Sequence, residues 1–233
     1  ILRESERKVL DFKIVRDIIK VKDIKDARIL DDGVAYIRLV EFREHTPEDL
    51  DAALAKLKQD GMTTLILDLR NNPGGLLDVA VKVVARFIEK DKLVVYTQGR
   101  KGSKQNKFMS DYKDPLLVVP IAVLINEGSA SGSEIVAGAL QDYKRAIIVG
   151  KKSFGKGSVQ TIIPLSDGSA LRLTTSKYFT PSGKVIHGNG VTPDISVEEA
   201  KIQLAKKDSA VESKAEEVFD TLSQKEKPGQ DRK

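Results

Sequence analysis

The apolar positions of the chain change period several times, and each change marks an element. Residues 1–29 alternate loosely. Val9, Phe12, Ile14 and Val15, then Ile18, Ile19 and Val21, stand among charged residues, a pattern that predicts two or three short strands. Asp31-Asp32-Gly33 is a turn, and Val34 to Val40 (VAYIRLV) is a strand. Thr46-Pro47-Glu48-Asp49 starts a helix: Thr46 can cap it, Pro47 suits the first helical position and Asp49 stands at the capping-box position. Leu50, Ala53, Leu54 and Leu57 then recur at helical spacing until Gly61. Thr63 to Leu69 (TTLILDL) is nearly continuous apolar and reads as a buried strand, broken by Arg70 to Gly75 (RNNPGG). A second helix is expected over Leu77 to Ile88, with Val81, Val84, Ala85 and Ile88 on one face. It is followed by a strand at Leu93 to Thr97, a polar loop from Gly99 to Lys113, and a buried strand from Leu117 to Ile125 with a break point at Pro120. Asn126 to Ser129 is a turn, and Glu134 to Asp142 a helix starting near Ser131. Ala146 to Val149 is a strand, Ser153 to Gly157 a glycine-rich turn. Ser158 to Pro164 and Ser169 to Thr175 form a hairpin joined at Asp167-Gly168.

Strand, helix, strand, helix, strand in the middle predicts an α/β fold with crossover helices on a mixed, mainly parallel sheet, and antiparallel strands follow. Beyond Glu198, Val211, Ala215, Val218, Phe219 and Leu222 make a helical stripe in a highly charged segment. It suits either a surface helix on the domain or an oligomer or partner helix. Residues 227–233 read as a disordered tail. Composition narrows the function classes. The 233 residues are 40% hydrophobic and 31% charged, enough for a core. No apolar run approaches the roughly 20 residues of a membrane span. There is no Cys, which removes disulfides, thiolate zinc and a Cys nucleophile together, and His45 and His187 are the only histidines. No HExxH is present, which argues against a protein-bound catalytic zinc, and no cofactor is expected. Lys+Arg 39 against Asp+Glu 34 gives a formal +5, well mixed in sign, with no long basic run or aromatic–basic interleaving to suggest nucleic acid.

Three segments carry candidate chemistry. Asn126 to Glu134 (NEGSASGSE) places small residues between a buried strand and a helix start, where backbone N–H groups favour negative charge. A nucleophile and an oxyanion fit there. So does a plain helix cap, and spacing does not separate Ser129, Ser131 and Ser133. Ser153 to Gln160 (SFGKGSVQ) sets Lys156 between glycines. A buried lysine can be neutral and take a proton from a serine hydroxyl, with Gln160 orienting the amine without adding an anion; a solvated turn lysine is the plainer alternative. A P-loop is not expected. In RNNPGG, adjacent glycines can aim N–H groups at one point as an oxyanion hole does, or simply make a tight turn.

In order, LILDLRNNPGG, NEGSASGSEIVAGALQD, VGKKSFGKGSVQTIIPLSDGSALRLTTSKYFTPSG and HGNGVTPDI resemble the carboxyl-terminal processing proteases, the tail-specific serine peptidases with a Ser-Lys dyad. The likeness runs from about Val34 to Val197. It implies Ser131 as nucleophile, Lys156 as general base and Gln160 as its support. The N–H of Gly132 would form one side of the oxyanion hole and Gly75 the other, with Gly74 as the less favoured neighbour. Two positions depart from the family pattern: Gly132 stands where alanine is frequent, and His187 where glutamine is frequent; His187 is read as surface or substrate-side.

The resemblance further implies a crotonase/ClpP-like protease core with an oxyanion-hole turn. It implies a PDZ-like module that selects apolar C-terminal tails and is largely missing here, only its last strands and link falling in residues 1–20. The core would span 21–197, a charged amphipathic helix region 198–226 and a tail 227–233. Substrates would be proteins or peptides with apolar C-termini. Export to the periplasm or cell envelope, self-association through terminal helices and a lipoprotein adaptor belong to the same expectation. Two rivals stand beside it: an enoyl-hydratase-like thioester enzyme with Glu134 as catalytic carboxylate, which leaves Lys156 unexplained, and an inactive peptide-binding or scaffold protein of the same descent.

Overall fold

The computed structural model describes residues 1–3, 5, 7–16, 22–99, 105–112 and 118–197. All of them belong to one compact unit, Ile1–Val197. The expected helix and tail beyond residue 197, and the expected strand at 18–21, lie outside the described residues.

A short exposed hairpin, β1 (Leu2–Arg3) with β2 (Lys8–Val9), precedes the main sheets. β3 (Ile24–Ile29) runs antiparallel to β4 (Val34–Leu39). Three strand–helix steps follow: β4 into α1 (Thr46–Gln59) and β5 (Thr64–Asp68); β5 into α2 (Leu77–Ala85); and β8 (Ile121–Ile125) into α3 (Gly132–Asp142) and β9 (Ile147–Gly150). With β12 (Ile195–Ser196) they make a six-stranded sheet in the order β12-β9-β8-β5-β4-β3, in which only the β3–β4 pairing is antiparallel. A separate four-stranded antiparallel sheet has the order β10-β11-β6-β7, from β6 (Leu93–Gly99), β7 (Asn106–Met109), β10 (Ser158–Pro164) and β11 (Ala170–Phe179).

The crotonase/ClpP-like core expected from the sequence is corrected here. After α2 the chain does not return to the first sheet. β6 pairs antiparallel with β7 on one edge and with β11 on the other, so the strands divide between two sheets. Hairpin pairing is local and closes a short loop, whereas re-entry between parallel strands needs a longer connection. The segment read as a polar loop therefore holds β7, which was missed because its NKFM has too few apolar residues to show alternation.

Burial follows one face. Ala35, Ile37 and Leu39 of β4, Leu65 and Leu67 of β5, and Val123 and Ile125 of β8 are sealed, while the alternate residues are half-buried. Leu50, Leu54 and Leu57 of α1 and Val79, Ala80, Val83 and Val84 of α2 complete the core. Each fully buried Leu or Val contributes about 1.5–3 kcal/mol. α2 packs on α1 and α3, and β6 touches both α2 and α3, which joins the second sheet to the helical layer. Two ends differ from the sequence reading. α1 begins at Thr46 rather than being capped by it, because the Thr46 hydroxyl donates to Asp23 and accepts from the Arg43 N–H. α2 stops at Ala85 rather than Ile88.

What matters for function is where the parallel strands end. β5, β8 and β9 are neighbours, and their carboxyl ends release Arg70–Gly75, Asn126–Ser131 and Lys151–Gly157, the three segments singled out above. Loops at the carboxyl ends of adjacent parallel strands are where α/β sheets place ligands. Asp68 anchors the first of them. Its fully buried carboxylate takes the Arg70 guanidinium at 2.9 and 2.7 Å, the Arg70 N–H at 2.9 Å and the Tyr36 hydroxyl at 2.7 Å. Burial alone pushes the Asp68 carboxyl up, but the Arg70 and Tyr36 hydrogen bonds outweigh it and hold it below the usual carboxylate range.

Asp68→Asn should lose about 2 kcal/mol at neutral pH, measured by urea unfolding. Because the folded-state value is depressed, this stability is present above the unfolded value of 3.8 and is lost as pH falls through the lower folded one. The gap between wild type and variant should therefore close only in strong acid.

Candidate active site

Asn72 joins the first loop to the second. Its side chain donates to the Leu39 carbonyl and accepts the Gly74 N–H, each at 2.9 Å, while its own carbonyl accepts the Ala130 N–H at 3.0 Å and the Ser133 hydroxyl at 2.9 Å. Asn126 Oδ1 accepts the N–H groups of Asn71 and Gly128. The three serines left open by spacing now differ. Ser129 and Ser133 are fully buried, and their hydroxyls donate to the carbonyls of Leu69 and Asn72. Ser131 is half-buried at the N-cap of α3, in a left-handed backbone conformation with φ 53° and ψ −111°. A non-glycine residue held there is strained by about 1–3 kcal/mol and persists only where its surroundings fix it.

Glu134 fixes it. It is fully buried, and both oxygens are occupied twice. Oε2 accepts the N–H of Ser131 at 2.8 Å and the N–H of Lys156 at 2.8 Å; Oε1 accepts the Ser153 hydroxyl at 2.6 Å and the Gly155 N–H at 2.6 Å. Ser153 in turn accepts the Val191 N–H at 2.7 Å, so its own proton is committed to Glu134. Ser131 and Lys156 are thus brought together through one carboxylate oxygen. Their side chains are not in contact: Lys156 faces solvent and makes no hydrogen bond or ion pair to Ser131. Gln160 is exposed on β10, beside the bulge between Val159 and Gln160. His187 is exposed, and its backbone presses on Gly157, where a Cβ would come within 2.3 Å of the His187 nitrogen.

The two expected oxyanion glycines behave differently from their neighbour. The Gly74 N–H is spent on Asn72, whereas among the described residues those of Gly75 and Gly132 have no acceptor within the protein. Gly74 (φ +102°) lies against the Ser131 segment, where a Cβ would sit 2.7 Å from Ser131 Cβ. Gly75 bridges to Phe42, whose carbonyl would be 2.0 Å from an added Cβ. At Gly132 an added Cβ would meet the Phe42 ring at 3.1 Å, so the small residue there suits a close aromatic neighbour. No group of acidic or histidine side chains among the described residues could hold a metal ion. Glu134, the carboxylate of the thioester reading, is sealed from any ligand. Sequence reasoning had missed its structural part, although the Ser131-x-x-Glu134 spacing of a capping box was the available signal.

The model of peptidase family S41 matches residues 33–197. The chain belongs to peptidase family S41. It is 55% identical over 196 residues to the carboxy-terminal-processing protease of Bartonella bacilliformis, covering 82% of this chain and 44% of that protein. It is 42% identical over 203 residues to the "Probable CtpA-like serine protease" of Staphylococcus epidermidis, covering 87% of this chain and 40% of that one. Among solved structures, the photosystem II D1 C-terminal processing protease superposes with a TM-score of 0.69 at 33% identity, over 77% of this chain and 49% of that chain. The last likeness gives the fold its proper reference: an S41 C-terminal processing protease core replaces the crotonase/ClpP-like one. The chain spans less than half the length of these relatives.

Gly74→Ala should displace Ser131 while leaving the sheet intact. The expected result is a fall in stability of about 1–3 kcal/mol by thermal or urea unfolding, together with slower acylation of Ser131 by a serine-directed probe. An unchanged acylation rate would contradict the packing described.

Proposed function

We propose that this chain is the catalytic part of a serine endopeptidase that cleaves protein substrates near their C-termini, with Ser131 as nucleophile, Lys156 as general base and Gln160 as its support. The observation that carries this reading is the strained Ser131 at the α3 N-cap, tied by its N–H to the carboxylate oxygen that also holds the Lys156 N–H. Strain of this kind concentrates at functional sites. Family membership and the sealed hydroxyls of Ser129 and Ser133 support the same choice.

The uncharged Lys156 amine takes the Ser131 proton as Oγ bonds to the scissile carbonyl carbon. The resulting oxyanion is held by the N–H groups of Gly132 and Gly75, donors worth a few kcal/mol each. The lysine then gives its proton to the amine that leaves as the C–N bond breaks. Water, deprotonated by the same lysine, hydrolyses the ester and frees Ser131. Lys156 faces solvent in this chain, so the water exclusion that favours a neutral amine falls to the bound substrate. β10 supports an extended substrate. It is an outer strand of its sheet, begins at Ser158 just past Lys156, and shows exposed Ile162 and Ile163, with exposed Phe154 before the lysine. Strand addition uses such an edge, and a bulge such as that at Gln160 can re-aim a side chain.

The finer points of the reading rest on the resemblance. On that resemblance residues 1–20 would end a PDZ-like module that selects apolar C-terminal tails, and residues 21–197 would be the core. Export to the periplasm or envelope, self-association through the 211–222 stripe and a lipoprotein adaptor complete it.

Ser131→Ala and Lys156→Ala should each fold and lose at least about 10³-fold in cleavage of a disordered protein, followed by product masses. Near-full activity in either would overturn the dyad. Equal, low cleavage by wild type and both variants would favour the inactive scaffold.

A further inference from the structure

We infer that Glu134 is a positioning residue whose carboxylate places the Lys156 turn against Ser131, so that the base acts only while this one side chain holds both. The inference rests on the proposed dyad and deepens it. Four donors converge on the carboxylate at 2.6–2.8 Å, one from the nucleophile's own N–H and three from residues 153, 155 and 156. Two acceptor positions on each oxygen are filled, the acceptor-only pattern of an ionised carboxylate. Because Oε2 is shared, the Ser131 and Lys156 nitrogens lie no further apart than two hydrogen bonds laid end to end.

Among the described contacts, the serine and lysine segments otherwise meet through the exposed Lys151–Glu127 ion pair at 3.3 Å and the Phe154 N–H to the Ser129 carbonyl at 3.0 Å. The latter bond fixes the start of the turn and leaves the direction of residue 156 open. The charge is also placed so that it does not capture the amine. Lys156 bonds Glu134 through its backbone, and its Nζ makes no ion pair with the carboxylate. The donors around the carboxylate, among them the Ser131 N–H at the positive end of α3, spend its charge locally. A glutamine cannot replace it. Its amide offers one oxygen and a donor NH₂, so donors at the second position would face a donor.

The absence of native Cys supplies a clean reporter. Ser131→Cys introduces the chain's one thiol, and its alkylation rate against pH gives the midpoint of thiolate formation. A lysine ammonium held nearby lowers that midpoint, so Lys156→Ala in this background should raise it. Glu134→Gln in the same background should raise it likewise, toward the Lys156→Ala value. The sign is decisive, because removing a nearby anion with the lysine still in place would lower the midpoint instead. In the enzyme with Ser131 intact, Glu134→Gln should cut kcat on the order of 100-fold with little change in KM. A raised midpoint with Lys156→Ala, but an unchanged or lowered one with Glu134→Gln, overturns the inference and leaves the dyad standing. No response to Lys156→Ala overturns both. If Glu134→Gln does not fold, Ser153→Ala removes one of the four donors and should raise the midpoint by a smaller step; an unchanged midpoint there overturns the inference.

Discussion

Sealing a carboxylate from water costs several kcal/mol unless its lone pairs find donors. Glu134 meets that demand with donors taken from two different loops. Its satisfaction and the assembly of the site are therefore the same event: if the 153–156 turn moves away, Glu134 is left with unmatched charge in the core, and Ser131 loses part of what holds its left-handed backbone. Hydrogen bonds to charged groups contribute about 1.5–3 kcal/mol each. Four of them exceed the strain of one residue at positive φ, so the balance favours the strained conformation as long as all four are made.

The sheet sets up this convergence. β5, β8 and β9 lie side by side and run the same way, so loops distant in sequence leave the sheet at one edge. Asp68 braces the first loop through Arg70 and Tyr36, Asn72 links it to the second, and Glu134 links the second to the third. Each brace is a buried polar side chain with its partners in place, the condition under which such networks rigidify a core. Close approach does the rest. Gly74 meets Ser131, and Gly157 meets His187, at distances no Cβ could share.

The order of strands and helices in the middle of the chain was legible because the period of apolar residues switches between two and 3.6. The partition into two sheets was not. Nothing in LVVYTQG says whether its neighbours are β5 and β8 or β7 and β11, since pairing is a property of distant segments. NKFM and the two-residue β12 are too short for a period to register. Within the site, the three segments were legible as breaks between buried strands and helices. The part played by Glu134 was not, because a glutamate three residues after a serine reads first as a helix cap. The same applies to Ser153, whose hydroxyl accepts from Val191 and donates to Glu134 across 38 and 19 residues of sequence.

Burial and position pull Lys156 in different directions. A lysine serves as a base when its ammonium is made costly by desolvation, yet this one faces solvent while its backbone is held firmly below. On the proposed reading the two facts fit together. The protein fixes where the amine's chain begins, and a substrate strand laid along β10 would remove the water around its end. Proton transfer would then be confined to the time a peptide is present. A carboxylate paired to Nζ would defeat such an arrangement by favouring the charged form at all times. Glu134 makes no such pair, because both its oxygens are spent on backbone and hydroxyl donors.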